Sequence, residues 1–185
     1  MRQLWLVVSL LASEITVTAL PAEVVLLRHA EKPSDDRNPN LSARGFQRAM
    51  ALPTLLTNTP ALTRGGIPTA IFAPRPTAHG HSRRASETIT PTARALHLPV
   101  LTPFSANEYA ALAKEILSNP AFDGKTILIC WVHDYLPQLA REFGVRHPPG
   151  WSGDTFDRVW AITFTGRRAT LQNLPQHLLA GDSTD

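Results

Sequence analysis

Cysteine is nearly missing from this chain of 185 residues: Cys130 is the only one. A disulfide within the chain is therefore excluded, and so is a cysteine-based metal cluster. Cys130 falls in the apolar run 127–131, which reads as a buried, inert thiol rather than a nucleophile. Long apolar runs are also absent. Residues 4–12 form an apolar stretch well short of the roughly 20 residues a membrane-spanning helix needs. Charge of one sign is never blocked together. The formal net charge is only +3 and the basic residues are scattered, which reads as a solvated surface and argues against nucleic-acid binding. A modest positive field still suits anionic small molecules. There is no internal repeat, no heptad, no P-loop and no dinucleotide fingerprint.

What is present suits one domain by length. The first 22 residues, MRQLWLVVSLLASEITVTALPA, place Arg2 before the apolar stretch. Val17-Thr18-Ala19 follows as a small-residue cleavage pattern, with Ala22 a second candidate. This order reads as a secretory leader, although Glu14 departs from it. The expectation is a signal peptide over 1–22 and a single domain over 23–185. The protein is then exported, periplasmic or secreted, with no stable membrane insertion once the leader is removed.

Residues 23–32, EVVLLRHAEK, organise the rest. A continuous β-branched and leucine run without polar alternation reads as a parallel strand covered on both faces. In open α/β sheets the ligand crevice lies beyond the carboxyl ends of the strands, which is where Arg28 and His29 stand. An arginine presents a planar fork to phosphate oxygens. A histidine beside it is a nitrogen nucleophile or a proton carrier near neutral pH.

After the turn-rich segment 33–40, Ser42 is a good N-cap for a helix whose apolar face holds Phe46, Ala49, Met50, Leu52, Leu55 and Leu56. Pro53 is expected to kink or end it. A short strand follows at 69–73, then a loop at 74–81. Ser82 caps a helix running to about Leu96, with Pro91 as an irregularity. An edge strand falls near 100–101. Ser105 and Glu108 have capping-box spacing before a helix to about Leu117. Residues 126–132, TILICWV, read as a second central strand, with His133 and Asp134 at its end. A helix spans 136–143 and is closed by Gly144. A hairpin covers 158–174, and a polar tail frays after it. Trp131, Trp151 and Trp160 read as packing, with Trp151 at the pocket mouth. Strands alternating with helices predict a mostly parallel sheet with helices on both faces.

Three segments carry the chemistry: Leu27-Arg28-His29-Ala30-Glu31, then Arg84-Ala85-Ser86-Glu87-Thr88 at a helix start, then His133 after the strand 126–132. Arginines in a first helical turn oppose the helix dipole unless an anion lies between them and the backbone N–H groups. Arg83 is adjacent and reads as a solvent-facing partner or as a second contact to substrate. Together the order and placement resemble the histidine phosphatase superfamily, whose fold is that of phosphoglycerate mutase. The segment Leu41-Ser42-x-x-Gly45 also matches a common feature of that family.

The resemblance implies a three-layer α/β/α sandwich with a mostly parallel central sheet. It implies a phosphomonoesterase in which His29 becomes phosphohistidine while Arg28, Arg84 and His133 stabilise the phosphoryl oxygens. It implies a small phosphorylated substrate, no cofactor and no metal. The proton donor stays open between Glu108, which is also the capping-box residue, and Asp134; Glu31 is a third candidate nearby, and reads rather as a surface charge or a contact that orients the loop. His79 and His81 form an H-x-H pair in the loop 74–81 and read as pocket lining or exposed side chains. Alternatives are a phospho-ligand binding module of the same fold without a proton donor, and a phosphotransferase of the mutase type. Substrate identity and oligomeric state are not readable.

Overall fold

The computed structural model describes residues 20–35, 37–76, 83–166 and 168–184. The stretch 1–19 read as a leader, the pair His79 and His81, and the Ser82 cap lie outside the described residues.

Strand β1 (Glu23–Arg28) is buried along its whole length, as an uninterrupted apolar run demands. It lies parallel to β4 (Thr126–Trp131), buried likewise, with Leu27 opposite Cys130 and Arg28 opposite Trp131. Strands β2 (Ala70–Phe72) and β3 (Val100–Leu101) extend the parallel side. Strands β5 (Arg158–Thr165) and β6 (Arg168–Pro175) form a hairpin set antiparallel on the other edge of β1. The sheet order is β3-β2-β4-β1-β5-β6. The expected hairpin is therefore in place, and it makes the sheet mixed.

Alternate residues of β1 face opposite layers. Val25 and Leu27 meet Leu52, Leu56 and Ile89 of helices α1 (Ala43–Asn58) and α2 (Arg84–Ala95). Val24 and Leu26 meet Leu112, Ile116 and Leu139 of helices α3 (Tyr109–Ser118) and α4 (Leu136–Glu142). The result is a three-layer α/β/α arrangement.

Three expectations need correction. Pro53 does not end α1, which runs on to Asn58, and Pro91 likewise lies inside α2. An interior proline costs about 3 kcal/mol, which burial of Leu52 and Leu56 at about 1.5–3 kcal/mol each outweighs. The buried face of α1 is also rotated: Phe46 and Met50 are exposed while Arg48 is buried. The tail does not fray, because Asp182 is fixed on Arg48 at 2.7 Å and Asp157 accepts from the Ser183 N–H at 2.6 Å.

Candidate active site

The carboxyl ends of β1 and β4 open into a cleft of about 420 Å³ whose walls include Arg28, His29, Arg84, His133 and Asp134. Residues far apart in sequence meet there because β1 and β4 are neighbours in register. The His29 N–H continues the ladder onto the Trp131 carbonyl at 3.1 Å.

His29 is 4% exposed, and its Nδ1 lies 2.8 Å from the carbonyl of Ala30. A carbonyl only accepts, so Nδ1 carries the proton and Nε2 keeps its lone pair. Burial pushes the imidazole pKa down to about 4; the Ala30 bond opposes this, and Arg28, Arg84 and His133 add to it. The ring is neutral at physiological pH.

Arg28 is buried at the end of β1. Its Nη1 donates to the carbonyls of Ser152 (3.3 Å), Gly153 and Thr155 (3.2 Å). Its guanidinium lies 4.0 Å from the centroid of the Phe156 ring, a cation–π contact. Its Nε is buried without a partner among the described residues. Burial lowers its pKa to about 10, leaving it charged.

Arg84 is buried at the start of α2, as read, and also braces the loop before α1 by donating to the carbonyls of Asn38 and Asn40. Arg83 beside it faces solvent. His133 begins a 3₁₀ turn after β4, and its Nε2 lies 3.3 Å from Asp134 Oδ1. Burial and the Arg28 charge hold its pKa below the ordinary histidine value. Gly153 lies beside this ring: a Cβ there would stand 3.4 Å from His133 Nε2, in ordinary contact.

The two carboxylates considered as proton donors are placed differently. Asp134 faces the cleft, and its side chain is 70% exposed. Glu108 does not line the cleft. Its Oε2 accepts from the Ser105 N–H at 2.7 Å and hydroxyl at 2.6 Å, and Arg75 Nη2 stands 3.4 Å away. The Ser105 hydroxyl is the main cause holding its pKa below the usual carboxylate range. Glu108 is thus the capping-box residue. Trp151 does not reach the cleft mouth either: it is buried against Trp160, ring centroids 4.7 Å apart.

Several residues were given no role by sequence reasoning. Thr88 accepts from the Ala30 N–H at 2.8 Å and donates to the Arg84 carbonyl at 2.7 Å, so one hydroxyl ties the loop after β1 to α2. Its place in Arg84-x-x-x-Thr88 was visible; its function was not. Gly45 is a point of close approach, because a Cβ would lie 2.3 Å from the Glu31 carbonyl oxygen. No pattern in the sequence pointed to Phe156.

A scan against protein-family models and a search of curated proteins return no match. Solved structures are similar in fold. A phosphoserine phosphatase from Entamoeba histolytica superposes with a TM-score of 0.57 at 11% identity, covering 85% of this chain and 98% of its own. A mycobacterial glucosyl-3-phosphoglycerate phosphatase superposes with a TM-score of 0.57 at 15% identity, covering 82% and 97%. Phosphoglycerate mutase from Bacillus anthracis gives 0.55 at 13%, covering 85% and 94%. This chain has the phosphoglycerate-mutase-like α/β fold that these enzymes share.

Proposed function

We propose that the protein is a phosphomonoesterase that works through phosphohistidine on His29. One observation carries this: a buried, neutral imidazole, with its proton committed to Ala30, opens onto a cleft lined by three guanidinium groups, those of Arg28 and Arg84 among them, and a second imidazole. The phosphatases and the mutase of like fold act on small phosphorylated compounds, which is consistent with it.

In the first step His29 Nε2 attacks phosphorus in line with the ester oxygen. The N–P bond forms as the P–O bond breaks, and the leaving alkoxide takes a proton from Asp134. Arg28, Arg84 and His133 hold the equatorial oxygens, which is most of what phosphoryl transfer asks of a protein. In the second step Asp134, now a carboxylate, takes a proton from water as the water oxygen attacks phosphorus. His29 leaves as the neutral ring and phosphate is released. Charge is neutralised by the arginines, so the proposed reaction uses no metal. Asp134 is preferred to Glu108 because it faces the cleft while Glu108 is bound to Ser105.

The test is a phosphomonoester panel. Wild type should hydrolyse an activated aryl phosphate, and His29→Ala should lose this activity. Asp134→Asn should lose activity on alkyl phosphates and keep most of it on the aryl ester, which needs little protonation. Glu108→Gln should resemble wild type on both. Activity surviving in His29→Ala would reject the mechanism.

Export is proposed on the N-terminal sequence alone. Ala22 N–H donates to the Lys125 carbonyl, and the Leu20 carbonyl accepts from Gly124 N–H. Cleavage after Ala19 keeps both bonds, so the mature chain is expected to begin at Leu20. Sequencing the N-terminus of the purified protein reads this directly; an intact Met1 would overturn it.

A further inference from the structure

The proposed chemistry leaves one buried ionic cluster unused. Glu31 stands two residues after His29. It accepts from Arg48 Nη2 at 2.8 Å, Arg48 Nε at 3.0 Å and Arg44 Nε at 3.0 Å. These arginines lie one turn apart on α1. Arg48 also grips the tail. Its Nη2 donates to Asp182 Oδ1 at 2.7 Å and its Nη1 to Asp182 Oδ2 at 2.9 Å and Gln176 Oε1 at 3.0 Å. Arg44 Nη2 reaches the Ala180 carbonyl at 2.9 Å. Asp182 Oδ2 in turn closes the tail by accepting the N–H groups of Leu178 and Leu179.

The side chains of Arg48 and Asp182 are 2% and 3% exposed. A buried ion pair is a poor source of stability, since desolvation offsets the attraction. What charged forks give instead is fixed geometry. Here that geometry converges on the backbone beside the nucleophile. The Glu31 carbonyl accepts from the Ser42 N–H and hydroxyl, and the Ala30 N–H is held by Thr88.

We propose that Asp182, acting through Arg48 and Glu31, is a positioning residue for His29. The tail is a strap that holds residues 29–31 so that the imidazole meets phosphorus in line. This rests on the phosphohistidine reading. Misplacement of a reacting group by about 1 Å costs on the order of a hundredfold in rate, so a loosened strap should be visible in turnover.

Asp182→Asn in the full chain keeps the size and removes the charge. With an aryl phosphate, kcat should fall at least about tenfold. KM and the Kd for inorganic phosphate should stay within about twofold, because Arg28 and Arg84 are untouched. Amide exchange should quicken at Ala30 and Ser42 and stay unchanged in β2. Arg48→Lys keeps the charge but cannot bridge two carboxylates, so it should show the same loss. A lower melting temperature with unchanged kcat and unchanged exchange would mean that the tail only stabilises, and would overturn the proposal. Wild-type kcat in Arg48→Lys would do the same. If Asp182→Asn does not fold, Glu31→Gln carries the same expectations from the loop side. Wild type without phosphatase activity, or activity in His29→Ala, would reject the parent mechanism, and amide exchange alone would then decide whether the tail holds the loop.

Discussion

At the scale of residues, burial keeps the His29 imidazole neutral, as the proposed nucleophilic role requires. Water would favour the imidazolium; the cleft floor does not, and the neighbouring cations oppose a further positive charge. The folded-state pKa of about 4 means that the neutral ring persists as pH falls, until pH passes through that value. In the phosphate-free protein the His29 ring resonance should titrate near 4 and stay constant from pH 5.5 upward, followed by NMR. A midpoint near the ordinary histidine value of about 6.5 would show a solvated ring. Bound phosphate should raise the midpoint, since an anion favours the imidazolium.

At the scale of elements, the loop after β1 is built by two helices. Helix α1 begins at the loop: Ser42 caps it by accepting from Gly45 N–H and donates its hydroxyl to the Glu31 carbonyl. Helix α2 contributes Thr88 to Ala30, and Glu87 accepts from the Leu41 N–H at 2.8 Å. Gly45 is the point where this junction tolerates no side chain, because the obstacle is backbone. Gly45→Ala should push the Glu31 carbonyl outward. A loss of about 1–3 kcal/mol is expected from overpacking, read by denaturant unfolding. The phosphatase activity proposed above should fall with it even at temperatures where the variant is folded. Normal activity and stability together would contradict the close approach.

At the scale of the whole molecule, two buried carboxylates tie stability to pH with opposite signs. Asp182 has its pKa held below the usual carboxylate range, first by the Arg48 bond. It stabilises the fold above its unfolded value, and that contribution is lost as pH falls. Glu23, at the other end of β1 from the cleft, is pushed up to about 6 by burial. Its Oε2 accepts from the Arg64 N–H at 3.0 Å, and its Oε1 has no partner among the described residues. A raised folded-state pKa favours the protonated form, so this contribution is present below about 4.5 and lost as pH rises through about 6. Glu23→Gln should therefore stabilise the protein at pH 7.5 by up to about 2 kcal/mol. It should change little at pH 4. Denaturant midpoints at the two pH values test this; equal shifts at both would show that the carboxylate carries no burial penalty.

Most of the layout was legible along the chain because the cues are local. The uninterrupted run before Arg28 announced a strand buried on both faces, and the run before His133 announced its neighbour. Ser42 and the Ser105–Glu108 box announced helix starts. Pro53 misled, because a local steric rule was outweighed by leucines whose burial is decided by a sheet elsewhere. Phe46 and Met50 misled because apolar character alone does not choose among adjacent helical stripes.

By itself, the sequence determined the order of strands and helices and placed Arg28, His29, Arg84 and His133 just beyond or at the start of their elements. Those depend on backbone propensity and on spacing within a few residues. Only the tertiary structure decided which carboxylate faces the cleft, that Phe156 lies beneath Arg28, and that Asp182 reaches Arg48 and Glu31. Each of those is a contact between distant segments, and its partner is set by strand register and helix packing rather than by any neighbour in the chain.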